Sequence, residues 1–348
     1  MKKSINTLLA SFLFVSAIAQ DAHLSQFYEA NIIRNPALTG IFSGDYKINL
    51  QYRNQWSALS APFQTMVCSA ESKKSIGNQS GDFISYGLFT TIDKAGTINM
   101  SNSQFYGMLN YNKLLEEYHY TYLSFGFSGG FIQRSFNASR MIFDNQYQNG
   151  TITTSIGETI TSNTLRHYDI GSGLSLNGAM GYENKANYYI GVGLYHINKP
   201  DETFRNESFV KLNRKWSIHA GFKSNIGHNL SITALVNYTK QNPFEELVFG
   251  AFLNVKPISV INSKNHVILS IGAFNRVNDA YIGVVKCDFK NYAIAISYDA
   301  TSSSLKNYNQ GFGAYELSIN WRGFYKFPHN KEMMRCPRFE DIFEPDAY

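Results

Sequence analysis

The sequence predicts an all-β fold, a transmembrane antiparallel β-barrel of about 14 strands with an N-terminal periplasmic segment and a short C-terminal tail. One observation is composition: aromatic residues make up 15% of the chain and charged residues only 16%. Soluble domains carry about 25% charged residues, whereas membrane barrels are rich in aromatic girdles. The other two observations are a secretory N-terminus and strand-like alternation repeated along the remaining chain.

The N-terminus has the features of a signal peptide. Lys2 and Lys3 precede an apolar run at residues 5–18, and Ala17-Ile18-Ala19 matches a small-x-small cleavage site. We therefore predict a signal peptide at residues 1–19 and a mature chain starting at Gln20. Because no later apolar run reaches the roughly 20 residues of a spanning helix, residence in a membrane requires a closed barrel.

The first strand is predicted at residues 46–53, where apolar and polar side chains alternate without a break. Similar segments follow at residues 63–72, 83–91, 103–111, 120–133, 166–177, 188–197, 215–224, 229–238, 246–255, 266–275, 280–288, 292–298 and 314–321. This pattern assigns residues 20–45 to an N-terminal periplasmic or plug segment, 46–323 to the barrel and 324–348 to a periplasmic tail.

The lengths of the connections predict the orientation. The longest, at residues 134–165, 198–214 and 301–311, all follow odd-numbered strands, whereas very short ones at 225–228 and 288–291 follow even-numbered strands. Outer-membrane barrels have long external loops and short periplasmic turns, so this pattern favours a periplasmic N-terminus. Two polar loop stretches, at residues 144–150 and 201–207, are either plain solvated loops or a platform for an exported partner.

Short motifs near both ends of the chain carry a resemblance to a known family. The N-terminal region reads SQFYEANIIRNPALTG and continues into YRNQW, and the C-terminal region contains Cys336-Pro337-Arg338-Phe339. In this order and position they resemble the PorP/SprF family of type IX secretion proteins, which pairs an SQ(Y/F) segment and an NPA–G element with a closing CP-x-F element. The two matches bracket nearly the whole mature chain.

The resemblance implies a non-enzymatic outer-membrane component of the type IX secretion system of Bacteroidota. Such a protein would contact other secretion components on the periplasmic side and outer-membrane lipid around its wall. It would support secretion or surface attachment of partner proteins such as gliding adhesins. An alternative is an outer-membrane channel for hydrophobic small molecules, because the NPA segment before about 14 strands also resembles fatty-acid channels of the outer membrane. A second alternative is a purely structural barrel that anchors an inner protein shell.

The candidate partner or plug contacts follow from these motifs. Asn35-Pro36 is either a turn that fixes the entry into the first strand or part of a hatch across the lumen. Arg53 is predicted to point into the lumen and to latch the N-terminal segment, and Gln55 and Trp56 end the same strand, with Trp56 in the outer girdle. The remaining candidates are in the closing element: Cys336, Pro337 and Phe339.

No residue pattern indicates catalysis, a cofactor, a metal site or nucleic-acid binding. The net charge of +5 falls to +3 without Lys2 and Lys3, which gives no reason to expect a nucleic-acid partner. The eight histidines show no metal-ligand spacing. A barrel phospholipase would need a Ser–His pair, and His167 is the best candidate for the histidine of such a pair.

Glycines and cysteines have structural interpretations. Gly171-Ser172-Gly173 and Gly191-Val192-Gly193 are predicted to make room for a neighbouring backbone or a plug. Cys68 and Cys287 are interpreted as small apolar fillers within strands. Cys336 is the candidate for a disulfide with a partner.

Overall fold

A computed structural model describes residues 23–325, apart from 57–61, 77–80, 144–145, 149–150, 153–161, 205–209, 258–266, 304–305 and 307–310. The predicted signal peptide and most of the predicted tail, including Cys336, Pro337 and Phe339, lie outside these residues. Among the described residues, no helix is long and apolar enough to cross a bilayer.

Fourteen antiparallel strands close into a barrel, as the sequence predicts, and each is hydrogen-bonded to its two neighbours. They are β1 Tyr46–Gln55, β2 Phe63–Ser75, β3 Phe83–Ala95, β4 Met100–Glu116, β5 Thr121–Ser135, β6 Thr164–Met180, β7 Ala186–Tyr195, β8 Lys215–Asn225, β9 Leu230–Gln241, β10 Phe244–Val255, β11 Val267–Arg276, β12 Ala280–Phe289, β13 Tyr292–Thr301 and β14 Phe312–Gly323. The pairing of β1 with β14, from Tyr46↔Gly323 to Gln55↔Ala314, closes the wall.

The wall is apolar outside and polar inside, because successive side chains of a strand point to opposite faces. Exposed apolar side chains include Leu50, Met66, Leu88, Phe105, Leu109, Phe125, Phe127, Ile170, Leu174, Ile190, Ile218, Ile232, Leu253, Ile271, Val285, Ile296 and Leu317. Buried polar side chains include Asn49, Gln51, Arg53, Ser69, Glu71, Asn110, Asn112, Asp169, Ser175, Asn177, His219, Lys223, Asn237, Ser297, Asp299, Glu316, Ser318 and Asn320. This inverted pattern is typical of a barrel whose solvent is lipid.

The two ends of the barrel differ in their connections. We call the end with the odd-numbered connections the loop end; it carries the long segments 136–163, 196–214 and 302–311. The opposite end, which we call the turn end, has connections as short as residues 290–291. The pattern has exceptions, since 242–243 is a two-residue connection at the loop end and 256–266 is a longer one at the turn end.

The chain before β1 lies inside the barrel. Residues 24–42, which we call the plug, contain two short 3-10 helices, Asn31–Ile33 and Pro36–Leu38. At the turn end, Asp45 leads into β1 and its Oδ2 accepts a hydrogen bond from the Tyr325 N–H at 2.8 Å. The N-terminal segment and the start of the C-terminal tail therefore meet at the same end.

Cys68 faces outward at the middle of β2, between Leu50 of β1 and Thr90 of β3. A thiol surrounded by lipid is not available to a charged, water-soluble reagent. We expect a membrane-impermeant maleimide to leave Cys68 unmodified in intact outer membranes, with Cys287 and Cys336 replaced by alanine, and to modify it after unfolding in detergent. Tyr147→Cys, an exposed position in the connection between β5 and β6 at the loop end, is the positive control; rapid labelling of Cys68 in the membrane would contradict a lipid-facing β2.

Candidate functional site: the luminal plug and its cavity

A cluster of ion pairs fixes the first turn of the plug to the wall. We call Ser25, Arg53, Arg276, Asp299 and Glu316 the latch. The Arg53 guanidinium lies 2.9 Å from Asp299 Oδ2 and 3.2 Å from Glu316 Oε2. Arg276 Nη1 lies 3.1 Å from the same Asp299 oxygen. All five residues are buried, so the opposite charges compensate one another where water does not reach them.

Ser25 joins the plug to this cluster through both its backbone and its side chain. Its N–H donates to Glu316 Oε2 at 2.8 Å, and its hydroxyl donates to Asp299 Oδ1 at 2.8 Å. The same Oγ accepts hydrogen bonds from Arg53 and Arg276. A small hydroxyl that both donates and accepts can satisfy cations and anions at once.

The residues after Ser25 continue the attachment along β14 towards the turn end. Gln26 N–H donates to Glu316 Oε1 at 3.0 Å, and its Oε1 accepts from Ser318 Oγ at 2.6 Å. Glu29 accepts from Asn320 Nδ2 at 2.6 Å and forms an ion pair with Lys286 at 2.9 Å. The SQ motif thus has a physical basis, because both side chains are matched to polar groups of the wall.

Glycines on the opposite side of the lumen admit the backbone of the Asn35-Pro36-Ala37 segment. We call Gly126 of β5, Gly173 of β6 and Gly191 and Gly193 of β7 the glycine socket. A Cβ at Gly126 would lie 2.3 Å from both Ala37 N and Pro36 C, and one at Gly193 would lie 2.5 Å from Arg34 O. Any side chain at these positions would overlap the plug, which confirms the prediction for Gly173, Gly191 and Gly193. A Cβ at Gly171 would instead meet Ser128 and Tyr195 of the wall.

Polar side chains around the socket complete the attachment. Asn35 caps the second 3-10 helix by accepting from Ala37 N–H at 2.8 Å, and its Nδ2 donates to Leu174 O at 3.0 Å. The Ala37 carbonyl accepts from Asn110 Nδ2 and Ser175 Oγ, each at 3.0 Å. Pro36 occupies the first helical position, where its missing N–H costs nothing.

Apolar packing also joins the plug to the wall. Four buried apolar clusters are present among the described residues, and each contains at least one plug residue: Leu24, Phe27, Ala30, Ile32, Leu38 and Ile41. In the largest cluster, Phe27 packs edge-on against Phe274, with ring centroids 5.9 Å apart. The plug and the wall therefore share an apolar core inside a barrel whose lumen also carries many polar side chains.

Above the plug, at the loop end, lies a cavity of about 560 Å³. Its floor is formed by the plug residues Leu24, Phe27, Ile33 and Arg34. Trp56 lines it at the rim, where its ring packs edge-on against Phe63 at 4.9 Å between centroids. A second cavity of about 70 Å³ lies between the plug and the wall on the side of Lys223 and Lys286, nearer the turn end.

The structure describes five of the eight residues predicted as plug or partner contacts and places them in three separate parts of the lumen, while Cys336, Pro337 and Phe339 lie outside the described residues. Asn35 and Pro36 lie in the glycine socket, Arg53 lies in the latch, and Gln55 and Trp56 line the large cavity. The roles of these five residues in the function of the protein remain predictions. The loop stretches proposed as a platform are described in part, and there an ion pair joins Arg134 of β5 to Glu202 of the β7–β8 connection.

Sequence reasoning did not identify the partners of Arg53. Glu316 is a single charge within a predicted strand, whereas Arg276 and Asp299 each lie one residue beyond the segments predicted at 266–275 and 292–298. Extending the alternation of each segment places all three residues on the polar face, and therefore inside a barrel. Ser25 and Gln26 belong to the SQ segment that carries the resemblance, and the sequence alone predicts no contact for either.

His167 lies within β6, opposite Ile132 of β5. No group of three or more metal-binding side chains is gathered in the described part of the chain. Another histidine, His196, forms a buried pair with Asp169 at 3.0 Å, and Asp169 also accepts a hydrogen bond from Tyr106. These contacts join the residue that follows β7 to side chains of β6 and β4.

Solved structures similar to this chain include several membrane barrels. The toluene transporter TbuX of Ralstonia pickettii is 10% identical, with 84% of this chain and 91% of that chain covered and a TM-score of 0.49. The toluene transporter TodX of Pseudomonas putida is 11% identical, with 84% and 91% covered and a TM-score of 0.46. The translocator domain of the autotransporter NalP from Neisseria meningitidis is 10% identical, with 80% and 88% covered and a TM-score of 0.32.

No curated protein matches the chain at a significant level. The profile of the family described as type IX secretion system membrane protein PorP/SprF matches residues 16–321, which includes the plug and nearly the whole barrel. Together with the barrel fold, this match points to an outer-membrane protein of a non-enzymatic secretion or channel class. The chain belongs to the PorP/SprF family of type IX secretion system membrane proteins.

Proposed function

We propose that this barrel is a non-catalytic docking platform in the outer membrane, which supports secretion or surface attachment of partner proteins such as gliding adhesins. The observation that carries the proposal is the plug. Residues 24–42 fill the lumen and are attached to the wall on opposite sides, by the latch and by the glycine socket. A partner protein is then held by the ends of the barrel rather than passed through its centre.

The energetics of the plug support a fixed rather than a transient seal. Separating Ser25 from the latch would leave buried charges without one of their hydrogen-bond partners, and each such loss costs about 1–3 kcal/mol or more. Withdrawing the plug would also expose Phe27, Ile32 and Leu38 to water, at about 1.5–3 kcal/mol for each side chain. These costs act together, because the plug is one continuous segment.

The two ends of the barrel suit different partners. Asp45, Tyr325 and the short connections lie at the turn end, which we assign to the periplasm and to other secretion components. The long connections at the loop end would face outward and hold the secreted protein or surface adhesin. This orientation requires export by the signal peptide at residues 1–19, with cleavage near Ala19. The outward-facing loops are compatible with the role in gliding that the resemblance to proteins of Bacteroidota implies.

A disulfide between plug and wall tests the proposal directly. Thr39 Cγ2 lies 3.0 Å from the position that a Cβ would take at Gly87 of β3, so Thr39→Cys and Gly87→Cys bring two sulfurs within bonding geometry. The native cysteines are replaced by alanine. In a deletion strain, we expect the oxidised double variant to restore secretion of type IX cargo as well as its reduced form does. Each single-cysteine variant is the matched control for the substitutions themselves.

If oxidation of the double variant stops secretion while both single variants remain active, the plug must move, and a fixed platform is the wrong mechanism. The alternative function, a channel for hydrophobic small molecules, calls for the same measurement with uptake of a hydrophobic substrate as the readout. Among the described residues, the continuous wall and the attachment of the plug on opposite sides of the lumen count against that alternative, and the cavity of about 560 Å³ is confined to the loop end.

A further inference from the structure

The chain beyond β14 turns sideways along the outer rim of the barrel. Tyr325 lies two positions after the last residue of β14, yet its side chain reaches β2, where its hydroxyl lies 2.6 Å from Ser72 Oγ. Its N–H donates to Asp45 Oδ2 at 2.8 Å, and its ring centroid lies 5.6 Å from that of Tyr46 on β1. These contacts direct the start of the tail across the seam between β14 and β1, and not away from the barrel.

Exposed tyrosines continue this direction on the outer face at the turn end. Tyr86 of β3 pairs in register with Ser72, and Tyr111 of β4 pairs with Ile84, two residues before Tyr86 on the same strand. Both tyrosines are exposed, and residues that are paired directly across strands share a face. Neighbouring strands are about 4.8 Å apart, so the path from β2 to β4 is only about 10 Å long. A segment that continues from Tyr325 over Ser72 therefore meets Tyr86 and then Tyr111.

Two lysines border this path on the side nearer the turn end. Lys74 of β2 is exposed and forms no ion pair within the described part of the chain. Lys113 of β4 is half exposed and pairs with Asp82 at 3.0 Å. The remaining tail brings the opposite charge, because its stretch at residues 340–346 contains four carboxylates and no basic side chain. The rim and the end of the chain are therefore complementary in charge.

We propose that the chain's own tail, residues 326–348, docks on this rim path and that its acidic stretch binds the lysines there. The tail is long enough, because its 23 residues can span up to about 75 Å. Exposed ion pairs are weak one by one, but the covalent link to Tyr325 gives the tail a high effective concentration at the rim. The tail then forms a strap across the seam of the barrel. This inference goes beyond the platform function and does not depend on it.

Photo-crosslinking from the rim tests the proposal. Tyr86 or Tyr111 is replaced by benzoyl-phenylalanine in the full mature chain, in lipid nanodiscs with one copy in each disc, and the crosslinked peptides are identified by mass spectrometry. We expect both positions to crosslink to residues 326–348 of the same chain. Tyr292 is the matched control, because it is an exposed tyrosine at the turn end on the other side of the seam. There we expect crosslinks to lipid and not to the tail.

A charge reversal tests the assigned contact. Lys74→Glu should lower the yield of tail crosslinks from Tyr86 severalfold, because it places a like charge opposite the acidic stretch. Lys290→Glu makes the same change at an exposed lysine beyond the seam and should leave that yield unchanged. The proposal is overturned if Tyr86 and Tyr111 crosslink only to lipid, if the tail reaches Tyr292 as often as Tyr86, or if the two lysine variants give equal yields. None of these results bears on secretion, which is measured separately.

Discussion

Arg53→Ala is expected to loosen the plug by about 3 kcal/mol, towards the lower end of the range for breaking a buried ion pair. The substitution leaves Glu316 without a cation among the described residues, while Asp299 keeps Arg276 as a partner. Glu316 still accepts hydrogen bonds from the backbone of Ser25 and Gln26, which is why we expect the lower end. Amide hydrogen exchange of residues 24–29 should become faster. Secretion of type IX cargo should also fall, because the proposed platform requires the plug to stay attached to the wall.

Two further variants separate the latch from a general effect of losing an arginine. Arg53→Gln with Glu316→Gln removes both charges at once and should recover much of the lost protection, because neutral partners leave no unpaired ion. Lys185→Ala breaks the pair with Glu183 at 3.3 Å, in which both side chains are more than 60% exposed. That loss should cost under about 1 kcal/mol. If Arg53→Ala behaves like Lys185→Ala, the latch hypothesis is wrong.

The strands were predictable because each one spans lipid. A strand between lipid and a polar lumen must alternate, so the period of two is imposed along its membrane-spanning part. All fourteen predicted segments are strands, but several extend further than the pattern. β4 runs over Met100–Glu116 against a prediction of 103–111, and β6 over Thr164–Met180 against 166–177. At these strand ends the backbone hydrogen bonds between neighbouring strands continue, but the side chains no longer have to alternate between lipid and lumen.

The site was predictable in part. The polar face of β1 already placed Arg53 in the lumen, and strand glycines indicated a close approach of another backbone. The partners were not predictable, because the contacts are long-range: Arg53 and Glu316 are separated by 263 positions in sequence.

Gly126→Val is the second substitution with a large expected effect. The added side chain would begin 2.3 Å from Pro36 C and Ala37 N, and both are backbone atoms that cannot turn aside. Overpacking of this kind typically costs 1–3 kcal/mol, and here it also displaces the Ala37 carbonyl from Asn110 and Ser175. We expect the Asn35-Pro36-Ala37 segment to leave the socket while the barrel still forms.

The distance between Thr39 and Gly87 reports that displacement. In the Thr39→Cys, Gly87→Cys background, Gly126→Val should lower the yield of disulfide formation severalfold, because a seated plug is what brings the two sulfurs together. Gly129→Val is the matched control on the same strand, since nothing lies within 4 Å of a Cβ there. It should leave the yield unchanged. Equal yields for the two valine variants would mean that the glycine socket does not hold the plug, and that the latch alone does.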